Sequence, residues 1–365
     1  MISDKTIWLI IFSGLIIISG IFWWNVDYLN KGQDIREDKN LQEEIQTKIE
    51  LEPEMNKKKP LKFMFFGDMM LDRNVARILE NKNMEALLAG LSSKADYFKQ
   101  SYIISANLEG AVTNEGRHYS PINLYDFAFS VTKLDGLKQR GFNYFTLANN
   151  HFLDQGKQGI MESRENLAKA DFYFSGAPDA QIDNFSRTDI EIEDQKIALI
   201  GLSMVYNHFS REEAIALVSQ AANDTDLVIV NIHWGNEYEH IFNQYQQEVG
   251  HYLVEAGADI IIGHHPHVVQ GMEIYQGKPI FYSLGNFIFD QYFSISTQTG
   301  LALFCEVNEE KLFFTLFPFS SKQSAPTFME DETEKNNFLK DFISWSELDE
   351  EYALMLANGT FELKR

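Results

Sequence analysis

Five short apolar runs in the middle of this chain each end in residues able to hold a metal or a polar substrate. No other feature limits the fold as much. Residues 61–66 run into Gly67-Asp68, and residues 101–106 into Asn107-Leu108-Glu109-Gly110. Residues 142–148 run into Asn149-Asn150-His151, 227–232 into His233-Trp234-Gly235, and 259–262 into Gly263-His264-His265-Pro266-His267. Apolar runs of this length, bounded by turn residues, suit buried strands. Helical periodicity over 157–170 and 243–256 lies between them, and strands alternating with helices predict an α/β architecture. In open α/β sheets ligands bind at the carboxyl ends of strands, so the five tips are expected to converge on one site. After Pro279 the pattern changes. Residues 278–284, 301–307 and 311–319 follow one another as strands and predict an antiparallel close to the domain. Short helices are expected over 338–345 and 352–357.

The rest of the chain divides by composition. After a tail of residues 1–6, residues 7–24 carry no charge, and 18 such residues approach the roughly 20 that span a bilayer as a helix. Trp23 and Trp24 end the run, where indoles favour the membrane interface. The other reading is a cleaved signal peptide. No small-x-small cleavage pattern follows the run, so an uncleaved transmembrane signal-anchor is expected. Lys5 precedes the run, and Lys31, Arg36 and Lys39 follow it, a balance that barely decides orientation. Residues 25–60 read as a polar tether, 61–320 as the folded domain and 321–365 as an acidic C-terminal extension.

The chain has 53 acidic and 31 basic residues, a formal net charge of −22. The excess is not confined to a tail, because residues 61–305 alone hold 30 acidic and 17 basic residues. Such a surface argues against a nucleic-acid partner, which needs a basic face. A single Cys305 permits no internal disulfide and no thiolate zinc cluster.

The tips offer a coherent donor set. Asp68 and Glu109 are hard oxygen donors, Asn150 supplies an amide oxygen, and His151, His233, His264, His265 and His267 supply imidazoles. Such donors suit Mn, Fe or Zn. Two ions about 3.5–4 Å apart, sharing a carboxylate, activate water and clamp the oxygens of a transferring group. Each tip also has a plainer reading. Asp68 would cap a helix beginning near Leu71, Glu109 would be a turn residue, and Asn149-Asn150 would serve a turn. His233 would be a satisfied strand-end histidine, and residues 263–267 a His-rich turn. His118, His208, His240 and His251 lack such settings and read as surface or structural.

Six motifs in order complete the pattern: GDMMLDR at 67–73, NLEG at 107–110, LANNHFLDQG at 147–156, HWGNEY at 233–238, GHHPHVVQ at 263–270 and SLGNFIFDQ at 283–291. With them the sequence resembles, over roughly 61–319, the CapA family of bacterial capsule-synthesis (poly-γ-glutamate biosynthesis) proteins, of the calcineurin-like metallophosphoesterase superfamily. The resemblance implies a four-layer sandwich of two mixed β-sheets flanked by helices, with two divalent ions at the strand ends. It makes Asp68 the first metal-binding Asp, Glu109 the bridging carboxylate, and Asn150, His233, His265 and His267 the remaining ligands. His151, beside Asn150, would assist the leaving group or hold the phosphoryl oxygen, with His264 and Asp154 supporting the ligands from behind. Arg73, Glu237, Asn286 and Asp290 belong to the CapA-like motifs and are expected to meet substrate. Arg73 suits bidentate pairing with phosphate or carboxylate, a surface salt bridge being its alternative. Two departures stand out. The superfamily usually opens with Asp-x-His, but here Asp68 is followed by Met69-Met70, and the bridge is Glu rather than Asp.

The function so implied is synthesis or export of an anionic capsular polymer by a single-pass membrane protein. Its domain would lie outside the cell, alongside membrane-embedded synthase subunits. The alternatives are a metal-dependent phosphoesterase unrelated to capsule and a non-catalytic, polymer-binding assembly subunit.

Overall fold

The computed structural model describes residues 58–122, 125–205 and 208–365. The apolar run 7–24 and the tether up to residue 57 lie outside the described residues. Among the described residues, no helix is long and apolar enough to cross a membrane.

Two mixed sheets organise the domain. In the first, β1 (Leu61–Met69), β2 (Ile103–Leu108), β5 (Tyr144–Thr146) and β6 (Tyr173–Ser175) run parallel in that order. On its other side β1 pairs antiparallel with β14 (Thr299–Val307), which pairs with β15 (Lys311–Lys322). The short β13 (Asn286–Ile288) adds to the end of β1 in parallel. In the second sheet β8 (Gln195–Ser203), β9 (Leu227–His233), β10 (Ile260–His264) and β12 (Lys278–Leu284) are parallel. Antiparallel β7 (Arg187–Ile192) and β11 (Val269–Tyr275) close its edges. A small ladder joins β3 (Ala111–Val112) to β4 (Ala128–Phe129).

Three apolar clusters fix the layers. Successive side chains of a strand point to opposite faces. Phe63 and Phe65 of β1 therefore face the second sheet and pack with Leu199, Ile229, Ile262 and Phe281. Met64 and Phe66 turn outward to Leu87, Phe98 and Leu137. These belong to α2 (Met84–Leu87), α3 (Ala95–Gln100) and α4 (Asp135–Gln139), which cover that face with α1 (Arg73–Asn81) and α5 (Gly156–Lys169). On the far side Val218 of α6 (Arg211–Asp224) and Leu253 of α7 (Gln244–Glu255) pack on Val230 and Ile261. Helices, sheet, sheet and helices thus stack in sequence. Strands buried on both faces explain why β1, β9 and β10 read as near-continuous apolar runs, broken only by Lys62 in β1 and Asn231 in β9 before their polar tips.

The division expected at residue 320 does not exist in the fold. β16 (Ala325–Phe328) and β17 (Thr360–Lys364) both pair with β15. Between them α8 (Glu332–Ser344) and α9 (Glu350–Leu356) send Phe338, Leu339, Phe342 and Leu356 into the core between the sheets. The acidic character belongs to the outer faces of these helices and hides a small number of anchoring residues. The hairpin β7–β8 escapes the apolar-run pattern because β7 (RTDIEI) is an edge strand with one buried residue, Ile190. Its turn, Glu193-Asp194, has both residues at positive φ, the geometry of a two-residue hairpin whose twist matches its strands.

Candidate metal centre

The site begins with a close approach. A Cβ on Gly67 would lie 1.8 Å from the carbonyl oxygen of Gly285, so only glycine lets β1 pass this loop. Asp68 N then donates to that same carbonyl at 2.9 Å. The β1–β2 register shifts between Phe65 and Asp68, a bulge of the kind that re-aims side chains near sites, and sets Asp68 opposite Asn107. Asp68 does not cap a helix. That role falls to Asp72, whose carboxylate accepts from Arg73 N at 2.7 Å ahead of α1.

Four further strand ends meet Asp68. His267 Nδ1 lies 3.3 Å and His264 Nδ1 3.6 Å from its carboxylate, and His265 N donates to it at 3.2 Å. Asn107 Nδ2 donates to Asp68 at 2.8 Å and lies 3.3 Å from Glu109 Oε1 and 3.2 Å from His233 Nδ1. Asn150 Oδ1 meets His233 Nε2 at 2.8 Å, and the His233 and His265 rings sit 4.6 Å apart. His265 and His267 both hold positive φ, 99° and 58°. Such backbone persists for non-glycine residues only where the surroundings fix it.

His151 stands at the edge of this cluster. Its Nδ1 pairs with Asp154 at 2.8 Å, and Nε2 lies 4.0 Å from Glu109. Asp154 also accepts from Phe127 N at 2.9 Å, and the Phe127 ring packs against His151 at a tilt, with centroids 4.1 Å apart. Asp154 therefore fixes the ring's orientation and leaves Nε2 toward the cluster.

Burial controls the charges. It drives His264 and His265 down to about 4, and holds His233 well below the ordinary imidazole range with help from neighbouring imidazoles. Burial pushes Glu109 well above the usual carboxylate range. It works the same way on Asp68, but the His267 contact outweighs it and Asp68 ends below its ordinary value. Burial disfavours charge on His267 too, yet Glu109 and Asp68 raise it to about 9.

The residues fit divalent cations. Asp68, Glu109 and His267 place one donor atom each within 4.8 Å of one another, and Glu237, His265 and His267 do the same. Glu109 Oε2 and His265 Nδ1 are buried without a hydrogen-bond partner, a costly state that a cation would relieve. Neutral imidazoles, as at His265 and His233, are the form that binds metal.

The structure thus gathers Asp68, Glu109, Asn150, His151, His233, His264, His265 and His267 around one point. The four residues expected to meet substrate have partners of their own. Arg73 is taken up by Asp290, with Nε at 3.1 Å and the second nitrogen at 2.6 Å, so neither presents a free charge to substrate. Asn286 is buried, accepts from His267 at 2.9 Å and donates to Gln291 and the Thr297 carbonyl, which makes it an orienting partner of His267. Glu237 joins the histidine pair as a third donor. Asn107 belongs to the cluster although the sequence pattern does not single it out. It lies in β2, two residues before Glu109, which directly follows the strand, and that two-residue spacing is the available signal.

A two-sheet α/β domain gathering carboxylates, amides and imidazoles at its strand ends defines a broad class of metal-site proteins. Within it, residues 62–291 match the profile of the family described as "Bacterial capsule synthesis protein PGA_cap", and the chain belongs to that family. The "PGA biosynthesis protein CapA" of Bacillus subtilis (strain 168) is 30% identical over 251 residues, 65% of this chain and 65% of that protein. The match therefore spans just under two thirds of that relative. The "Capsule biosynthesis protein CapA" of Bacillus anthracis is 27% identical over 317 residues, 80% of this chain and 76% of the other. Among solved structures, a hypothetical protein from Thermus thermophilus aligns with a TM-score of 0.43 and 14% identity, over 73% of this chain and 96% of that one.

Proposed function

We propose that this chain acts in the synthesis or export of an anionic capsular polymer such as poly-γ-glutamate, through a metal-dependent, hydrolase-type centre. In this reading residues 7–24 form a single-pass anchor in the cell membrane, the domain lies outside the cell, and membrane-embedded synthase subunits are its neighbours. Membership of a capsule-synthesis family supports the process. The observation that carries the site is the pair of donor groups sharing His267, each with carboxylates and imidazoles within 4.8 Å.

Asp68, Glu109, Asn150, His233, His265 and His267, with Glu237, would hold one or two ions of the Mn, Fe or Zn type. Bound there, such ions supply Lewis acidity toward a carbonyl or phosphoryl oxygen. The chain's own residues do the rest. His151, oriented by Asp154, moves a proton at Nε2 to or from a leaving group. Asn286 holds the His267 ring in place. Deletion of the gene in a polymer-producing strain should abolish polymer. Wild type should restore it and His265→Ala/His267→Ala should not. Unchanged polymer after deletion would overturn the reading.

A second reading, a non-catalytic assembly subunit, is favoured by Met70. It occupies the place of the superfamily's usual histidine and is fully buried in the apolar cluster under α1. Full complementation by Asn150→Ala/His151→Ala would select this reading over catalysis.

A further inference from the structure

Next to Tyr292, two residues after Asp290, lies a cavity of about 490 Å³, between α1 and the β15–β16 turn. Its size falls within the roughly 300–1,000 Å³ of small-molecule sites. Asn74, Arg77, Asn81, Lys82, Tyr292 and Gln323 give it its polar lining. Its position ties it to the centre. Asn74 N donates to Asp290 at 3.3 Å, and Asp290 holds Arg73. Arg73 in turn lies over the Phe127 ring, 5.4 Å from its centroid, and that ring packs against His151.

What sets the cavity apart is charge. Three other cavities of the described residues all carry carboxylates. One has Glu80, Glu85 and Asp135, another Glu334 and Asp341, and the third Glu330 and Glu332. None lines this one. Arg77 donates to Asn74 Oδ1 at 2.8 Å, and among the described residues neither Arg77 nor Lys82 has a carboxylate at ion-pair distance. In a chain of net charge −22, an anionic ligand is repelled over most of the surface and finds two uncommitted cations here. The amide side chains of Asn74, Asn81 and Gln323 lie beside them, and a guanidinium donates to a carboxylate through a bidentate fork.

We propose that this cavity is a carboxylate-binding subsite that takes a stretch of the anionic polymer beside the metal centre. The inference rests on the capsule reading above and names where the polymer is held. Arg77 and Lys82 receive side-chain carboxylates, and Asn74, Asn81 and Gln323 meet the backbone amides. Arg73 takes no part, because Asp290 already neutralises it.

The test is calorimetric titration of the purified full chain with a short γ-linked glutamate oligomer and with the same oligomer amidated at its carboxylates. Inorganic phosphate serves as a competitor. The charged oligomer should bind and the amidated one should not, with binding weakened by salt. Arg77→Gln/Lys82→Gln should weaken binding by roughly tenfold or more, the scale of losing charge-assisted contacts. Lys196→Gln/Lys340→Gln, removing two exposed cations elsewhere, should change it less than about twofold. Equal loss in both double variants, unchanged binding in Arg77→Gln/Lys82→Gln, equal binding of the amidated oligomer or no binding by wild type would each overturn the subsite. Displacement by phosphate at equal concentration would reassign it to a general anion site. The capsule reading is judged separately, by the deletion and complementation experiment. Oligomer binding lost in His265→Ala/His267→Ala but kept in Arg77→Gln/Lys82→Gln would leave that reading standing and sink the subsite.

Discussion

Asn107 Nδ2 lies 2.8 Å from Asp68 Oδ1 and 3.3 Å from Glu109 Oε1, so one buried amide joins the two carboxylates that β1 and β2 bring side by side. Asn149 Nδ2 donates to Asn107 Oδ1 at 3.1 Å, which fixes the amide with its donor end toward the acids. Asn107→Leu removes a donor from a fully buried carboxylate and should cost about 1–3 kcal/mol. Asn107→Asp sets a third carboxylate between the first two and should cost more in chelator-treated protein. Saturating Mn should recover most of the loss in Asn107→Asp and little of it in Asn107→Leu. Thermal melts with chelator and with Mn read both. Equal melting of the two variants under both conditions would remove Asn107 from this role.

The shared position of His267 between two donor groups predicts a graded loss of metal. Wild type, dialysed against chelator-free buffer, should retain divalent metal by elemental analysis. Glu237→Gln, which removes one exposed donor of one group, should retain less. His265→Ala/His267→Ala touches both groups and should retain essentially none. Equal metal content in the three proteins would refute the centre.

Much of this centre is legible in the sequence because its chemistry sits at the ends of buried parallel strands. There a near-continuous apolar run stops abruptly at a polar residue, as at Asp68, His233 and His264. Edge strands give no such contrast. β7 buries only Ile190, and β17 alternates Phe361 and Leu363 with exposed residues, so neither looks like core. Within the site, donor types are readable but pairings are not. Arg73 and Asp290 are 217 residues apart, and nothing local says that each satisfies the other. Asn107 escapes notice for a related reason. Its importance comes from Asp68 on the neighbouring β1 and Asn149 just beyond the end of β5, a relation fixed by strand pairing rather than by sequence distance.

The Arg73–Asp290 pair also makes a stability prediction. Asp290's side chain is fully buried, while Arg73's remains about a third exposed. Arg73→Ala strands a buried carboxylate, a loss of up to about 3–5 kcal/mol for a fully buried pair and less here because water reaches the guanidinium. Asp290→Asn leaves a cation about a third exposed, which water solvates, and should cost less than Arg73→Ala. The double variant should be more stable than the sum of the two losses implies. Urea unfolding of the four proteins gives the coupling directly, and additive losses would show that the pair does not act as a unit.

Glu162 of α5 predicts a pH dependence away from the candidate metal centre. Its carboxylate accepts from Asn114 N at 2.8 Å, Tyr119 OH at 2.7 Å and Gln158 Nε2 at 2.7 Å, pinning the segment after β3 to the helix. Burial works to raise its pKa, but these donors outweigh burial and leave it below the usual 4.5. A depressed carboxylate contributes stability that is fully present above its unfolded pKa and is lost as pH falls through the lower, folded value. Glu162→Gln keeps the shape but weakens three hydrogen bonds made to a charge. It should therefore be less stable than wild type by about 1–2 kcal/mol at pH 7. The gap should hold down to about pH 5 and close as the solution is acidified below 4.5, because protonation makes wild type resemble the variant. Urea denaturation of both proteins between pH 7 and pH 3.5 measures the gap. A difference that stays constant through that range would show that Glu162 stabilises by shape and not by charge.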